Sequence, residues 1–108
     1  MKDLVENQLN VGDLVAFVGG YKRALNLGII RKFTSNIHIY LLDRPGLALA
    51  RKDNGLKPLP NTYSWTTYVM DGMSILKIPV SLLSGEPKTY YEEIMKILNK
   101  NVVTADNT

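Results

Sequence analysis

Eight cations stand between residues 20 and 60, namely Lys22, Arg23, Arg31, Lys32, Arg44, Arg51, Lys52 and Lys57, against two acids, Asp43 and Asp53. The segment carries most of the positive charge of a chain whose formal net charge is +3. Cations supplied from several loops to one surface can neutralise phosphates, and aromatic rings between them can stack on unpaired bases. Tyr21, Tyr40, Tyr63, Trp65 and Tyr68 are the rings available for that role. The same rings also suit a core or a helix contact, and the residue types leave both readings open. Strand parity puts Arg31 and Lys32 on opposite faces, so the patch predicted for nucleic acid is Lys22, Arg23, Lys32, Arg44, Arg51, Lys52 and Lys57.

The other chemistry-bearing residues form no catalytic constellation. His38 is the single histidine and falls within a strand pattern, where an imidazole is a structural or solvent-facing group more often than a base. The run "GGYKRALN" lacks the Gly-Lys-Ser/Thr ending of a phosphate loop. Glu92 and Glu93 are neighbours on a helix and so diverge. The chain has no cysteine, which removes disulfides and thiolate ligands, and no Asp/Glu/His spacing suits a metal. The expectation is a binding module, without cofactor, rather than an enzyme.

A second class of partner competes with nucleic acid. Leu47, Leu49, Leu56 and Leu59 sit inside the basic stretch 43–61, and a phosphate-binding loop has no need of four leucines. They would anchor a protein partner, or tuck onto the domain itself.

The elements that must position these residues follow from periodicity. "LVAFV" has apolar side chains on both parities and reads as a strand over 13–18, buried on both faces. Gly19-Gly20 then frees the chain to leave the sheet. "GIIRKFTSNIHIYLL" makes a hairpin about Thr34-Ser35-Asn36, with Ile37, Ile39 and Leu41 on the core face and His38, Tyr40 and Leu42 on the other. Residues 43–61 lapse into Pro, Gly and charge and read as a long loop, with room for a short helical turn over "LALARK". "TYSWTTYVMDGMSILKIP" restores strand character, and Asp71-Gly72 predicts a hairpin whose flanking strands pair, with Pro79 ending the last one. "TYYEEIMKILNKN" is a helix with Thr89 as its cap and Tyr90, Tyr91, Ile94, Ile97 and Leu98 along one face.

These elements predict a mainly β fold: a small SH3-like antiparallel barrel of about five strands with a C-terminal α-helix, in a single domain over residues 1–108. The barrel would span 11–80, the helix 87–100 and a frayed tail 102–108. No stretch has the roughly 20 apolar residues that span a bilayer, and the start shows no signal-peptide pattern, so the expected location is cytoplasmic.

Within this frame, "VGDLVAFV", a loop, then "LGIIRKFTSNIHIYLL" resembles the opening of SH3-like barrels, especially KOW-type modules of nucleic-acid-associated proteins, at Gly12, Asp13, Val15, Gly28, Ile29 and Ile30. The resemblance implies that the loops at one barrel end contact RNA, DNA or protein. The overall style also resembles a small accessory protein of a tailed bacteriophage, which implies a host protein as the alternative partner. Homo-oligomerisation through the C-terminal helix is a third expectation, conditional on its apolar stripe staying uncovered by its own barrel.

Overall fold

The structure is a computed structural model that describes residues 2, 7–19, 24–64, 66–70 and 75–106. Five strands, β1 (Leu14–Gly19), β2 (Ala24–Phe33), β3 (Asn36–Leu41), β4 (Thr67–Met70) and β5 (Ile75–Lys77), form one antiparallel sheet in the order β4-β3-β2-β1-β5. Two helices complete the fold, α1 (Arg44–Asp53) between β3 and β4, and α2 (Gly85–Asp106) at the end. This is the small, strand-rich, barrel-like sheet with a C-terminal helix that the periodicity predicts.

Asp71-Gly72 lies outside the described residues, and among the described residues its flanking strands do not pair with each other as expected. β4 pairs with β3, and β5 crosses to the far edge beside β1. Four strand spacings of about 4.8 Å would set the edges of a flat sheet ~19 Å apart, and the five-residue step from Met70 to Ile75 spans at most ~18 Å. The sheet must therefore curl.

Curling encloses one core and leaves the outer face for the helices. Inside lie Leu9, Val15, Phe17, Ile30, Ile37, Ile39 and Ile75, with Phe33, Leu41 and Val69 against them. Outside, Leu14, Ile29, Tyr40 and Leu42 meet Leu49 and Ala50 of α1, Leu83, and Ile94 of α2. The two apolar parities of "LVAFV" thus serve two different cores. The stripe of α2 is spent on the molecule's own sheet, with Ile94 fully buried and Tyr90, Tyr91, Met95, Ile97 and Leu98 packed around it. The condition set for oligomerisation through this helix is not met.

The stretch 43–61 is not all loop, because its first half is the ten-residue helix α1. Both residues that suggest a break are compatible with a helix here. Pro45 stands in the first turn, where no amide needs a partner. Gly46 packs so closely on the end of β3 that a Cβ would overlap the Leu41 carbonyl oxygen. Asp43 caps the helix by accepting a 2.7 Å hydrogen bond from the Gly46 amide. At the other end Asn54 Nδ2 donates to the Ala50 carbonyl at 2.7 Å, and Arg51 and Lys52 complement the helix dipole.

Helix α2 begins earlier and ends later than its sequence pattern suggests. Thr89 is inside it, its hydroxyl donating back to the Gly85 carbonyl at 3.3 Å rather than capping. Pro87, two residues in, is preset for a first turn. The backbone stays helical past Asn99 and Asn101 to Asp106, through most of the tail expected to fray. Pro79 does close off the last strand, and a 3-10 turn over Val80–Leu82 follows it.

Candidate functional site

A bulge in β2 decides what the outer face presents. Ile30 pairs with Ile39 and Lys32 with His38, so Arg31 has no partner of its own in the ladder. Ile30 and Phe33 both face the inner core, which leaves Arg31 and Lys32 together on the outside. The expectation that these two cations fall on opposite faces is corrected by that one extra residue.

Arg31 is spent at once. Its guanidinium grips Asp53, at the end of α1, with Nε to Oδ2 at 2.6 Å and Nη2 to Oδ1 at 3.1 Å. The buried Tyr40 adds its hydroxyl to Asp53 Oδ2 at 2.7 Å, and Arg31 lies 5.9 Å over the Tyr40 ring. Burial works to raise the pKa of Asp53, but the hydrogen bonds from Arg31 and Tyr40 outweigh it and hold the carboxyl below the ordinary carboxylate range. The Tyr40 phenol is pushed well above its ordinary value, first by burial and then by its bond to Asp53. The cluster is a clasp that fixes the end of α1 to the sheet.

Beyond the clasp, three side chains stand in register across three strands: Lys32 opposite His38, and His38 opposite Tyr68. Lys32 is exposed, Tyr68 is 58 % exposed, and the His38 and Tyr68 rings are 5.9 Å apart and tilted by 42°. His38 Nε2 lies 2.8 Å from Thr34 Oγ1, while Nδ1 is buried without a hydrogen-bond partner. Burial of the ring, with Lys32 and Arg31 nearby, pulls its pKa below the ordinary imidazole value. The neutral tautomer with hydrogen on Nε2 satisfies Thr34 and leaves Nδ1 bare. His38 therefore stands as a neutral ring between Lys32 and Tyr68 in the row.

A profile of the family described as Domain of unknown function (DUF7205) matches residues 1–40. No curated protein and no solved structure matches the chain. The matched span takes in Lys32 and His38 and stops before α1, so Tyr68 and everything contributed by α1 and its following loop lie beyond it.

The remaining predicted cations differ in what they touch. Arg44 donates to Thr62 Oγ1 at 2.6 Å and to the Pro60 carbonyl at 3.1 Å. Arg51 donates to the Lys57 carbonyl at 2.7 Å. Both arginines are braces that bind the returning loop along α1. Lys32, Lys52 and Lys57 are exposed, and so is Arg44, while Arg51 is half-buried. Lys22 and Arg23, with Tyr21 and Trp65, lie outside the described residues. Of the four leucines proposed for a partner, Leu49 is buried and Leu47 packs against the outer core. Leu59 is half-buried, and Leu56 alone is exposed, at 40 %. Sequence reasoning passed over Asp53 and Tyr40 as a unit; the only sequence signal for them is an acid at a helix end beside a strand tyrosine, which is too common to single out.

Lys52 and Leu56 meet in a groove of about 400 Å³ between α1 and the returning loop, lined also by Ala48, Gly55, Pro58, Thr62 and Ser64. Among the described residues, no group of three or more His, Asp or Glu side chains could hold a metal, and no helix is long and apolar enough to cross a membrane.

Proposed function

We propose that this protein is a non-catalytic module that binds single-stranded nucleic acid on the outer face of its sheet. The observation that carries the reading is the row Lys32, His38, Tyr68. An exposed ring and an exposed ammonium on either side of His38 offer a strand one stacking surface and one phosphate counter-charge, with no demand on sequence. Tyr63, which precedes β4 in sequence, is a further exposed ring, at 82 %. Because Asp53 neutralises Arg31, and Arg44 and Arg51 donate to groups of their own chain, the phosphate contact among the described cations falls to Lys32, which stands in the row itself.

Fluorescence anisotropy with a labelled 12-mer of deoxythymidine and one of uridine tests the reading, with a duplex of equal length as control. Single strands bind more tightly than duplex. Tyr68→Ala weakens binding about tenfold, in line with the ~1–3 kcal/mol lost per stacked base. Lys32→Glu weakens it and lowers the slope of log affinity against log salt by about one. Failure of both oligonucleotides to bind in low salt, or binding indifferent to both substitutions, removes the proposal.

A further inference from the structure

We infer that the groove between α1 and the loop 55–64 is a second, independent site, which takes a protein segment presenting an apolar side chain next to a carboxylate. Its volume of about 400 Å³ is at the small end of the ~300–1,000 Å³ typical of ligand sites. It has room for one or two side chains rather than for a whole large ligand.

The groove is built before anything enters it. Arg44 ties down Pro60 and Thr62, Arg51 ties down Lys57, and the Leu56 amide donates to the Arg51 carbonyl at 2.9 Å. Thr62 Oγ1 in turn donates to the Pro60 carbonyl at 2.9 Å. A wall held at this many points has little freedom left to lose, so an incoming segment is spared most of the ordering cost of association.

The lining states the chemistry of the occupant. Ala48, Leu56 and Pro58 are apolar, Thr62 and Ser64 carry hydroxyls, and Lys52 is the one charged group among the described lining residues. Among the described residues no carboxylate lines the groove with it. Asp53, next in sequence, is occupied by Arg31 and Tyr40. An apolar wall beside an uncompensated ammonium is complementary to a leucine-like side chain with an acid one or two residues away. A nucleic-acid strand would gain little from Ala48, Leu56 and Pro58. Lys52, Gly55, Leu56 and Pro58 are themselves exposed, so the site is too open to bury a free small molecule on most of its surface. It suits a side chain delivered from a larger surface.

Amide chemical-shift titration of the full chain tests this with four probes: a decapeptide with glutamate and leucine alternating at its centre, the same peptide with lysine for glutamate, octanoate, and a 12-mer of deoxythymidine. The acidic peptide is expected to give saturable shifts centred on Ala48, Lys52, Leu56 and Thr62, at least tenfold tighter than the basic one. Lys52→Glu reverses that preference, and Leu56→Asp abolishes binding while amides of the sheet keep their positions. Should Leu56→Asp not fold, the charge reversal at Lys52 decides alone. Equal binding of the two peptides, shifts confined to other regions, or no saturation by millimolar peptide overturns the inference. So does octanoate binding as tightly as the acidic peptide, or the oligonucleotide perturbing these same amides. The nucleic-acid reading is judged separately, at Lys32 and Tyr68.

Discussion

Asp53 shows how one carboxylate can decide what its neighbours do. By accepting from both Arg31 and Tyr40 it removes a cation from the binding surface and satisfies a hydroxyl whose ring is buried. Asp53→Asn keeps the size and loses the charge, and at neutral pH it should cost about 1–2 kcal/mol, as expected for hydrogen bonds to a charged group near the surface. Urea denaturation would measure it. The pH dependence has a definite direction. Because the folded pKa of Asp53 is depressed, its contribution is complete above the ordinary carboxylate value of about 4 and is lost as the pH falls through the folded value. The stability gap between the wild type and Asp53→Asn should therefore be constant from pH 5 to 7 and close at more acid pH. None of this was legible from residue types, since a cation in a sequence does not disclose its partner. Arg44 and Arg51, read as phosphate contacts, donate to carbonyls and a hydroxyl of their own chain. Lys32, whose ammonium is a compact and more strongly hydrated charge, is exposed.

At the level of elements, α1 is where local signals mislead. Proline, glycine and charge normally announce a loop, and the stretch 43–61 has all three. The helix forms because Pro45 sits where its missing amide is harmless and because Gly46 lets the backbone seat directly on Leu41. Two glycines flanking the groove region make the distinction testable by thermal denaturation. At Gly46 a methyl group meets backbone atoms that cannot move aside, so Gly46→Ala should cost about 3 kcal/mol, the upper range for overpacking. At Gly55 there is open space but φ is +70°, so Gly55→Ala should cost only about 1 kcal/mol, the ordinary penalty of the left-handed region. A reversed order would mean that α1 does not lie on β3 as described. The bulge at Arg31 is the second element-level decision. A strict two-residue alternation places Arg31 and Lys32 on opposite faces, and a single unpaired residue brings them to the same one.

For the molecule as a whole, the consequence of curling is that one sheet serves two cores that share no buried side chain. Ile37 belongs to the inner one and Ile94 to the outer, both fully buried. Each Ile→Ala should cost about 2–5 kcal/mol, and the double variant should lose the sum to within ~0.5 kcal/mol, because sites without shared partners add. A large coupling energy in urea titrations would contradict the two-layer arrangement. The sequence by itself determined the strand-rich class, the hairpin from Gly28 to Leu41, the double-faced character of "LVAFV" and the C-terminal helix. All of these rest on the spacing of apolar residues within short windows, where the backbone period dictates which side chains share a face. Only the tertiary structure decided that β4 and β5 take opposite edges, that α1 replaces half a loop, and which cations remain exposed. Those outcomes depend on groups far apart in the chain meeting at hydrogen-bonding distance, as Arg31 and Asp53 do across twenty-two residues, and no local period encodes such a meeting.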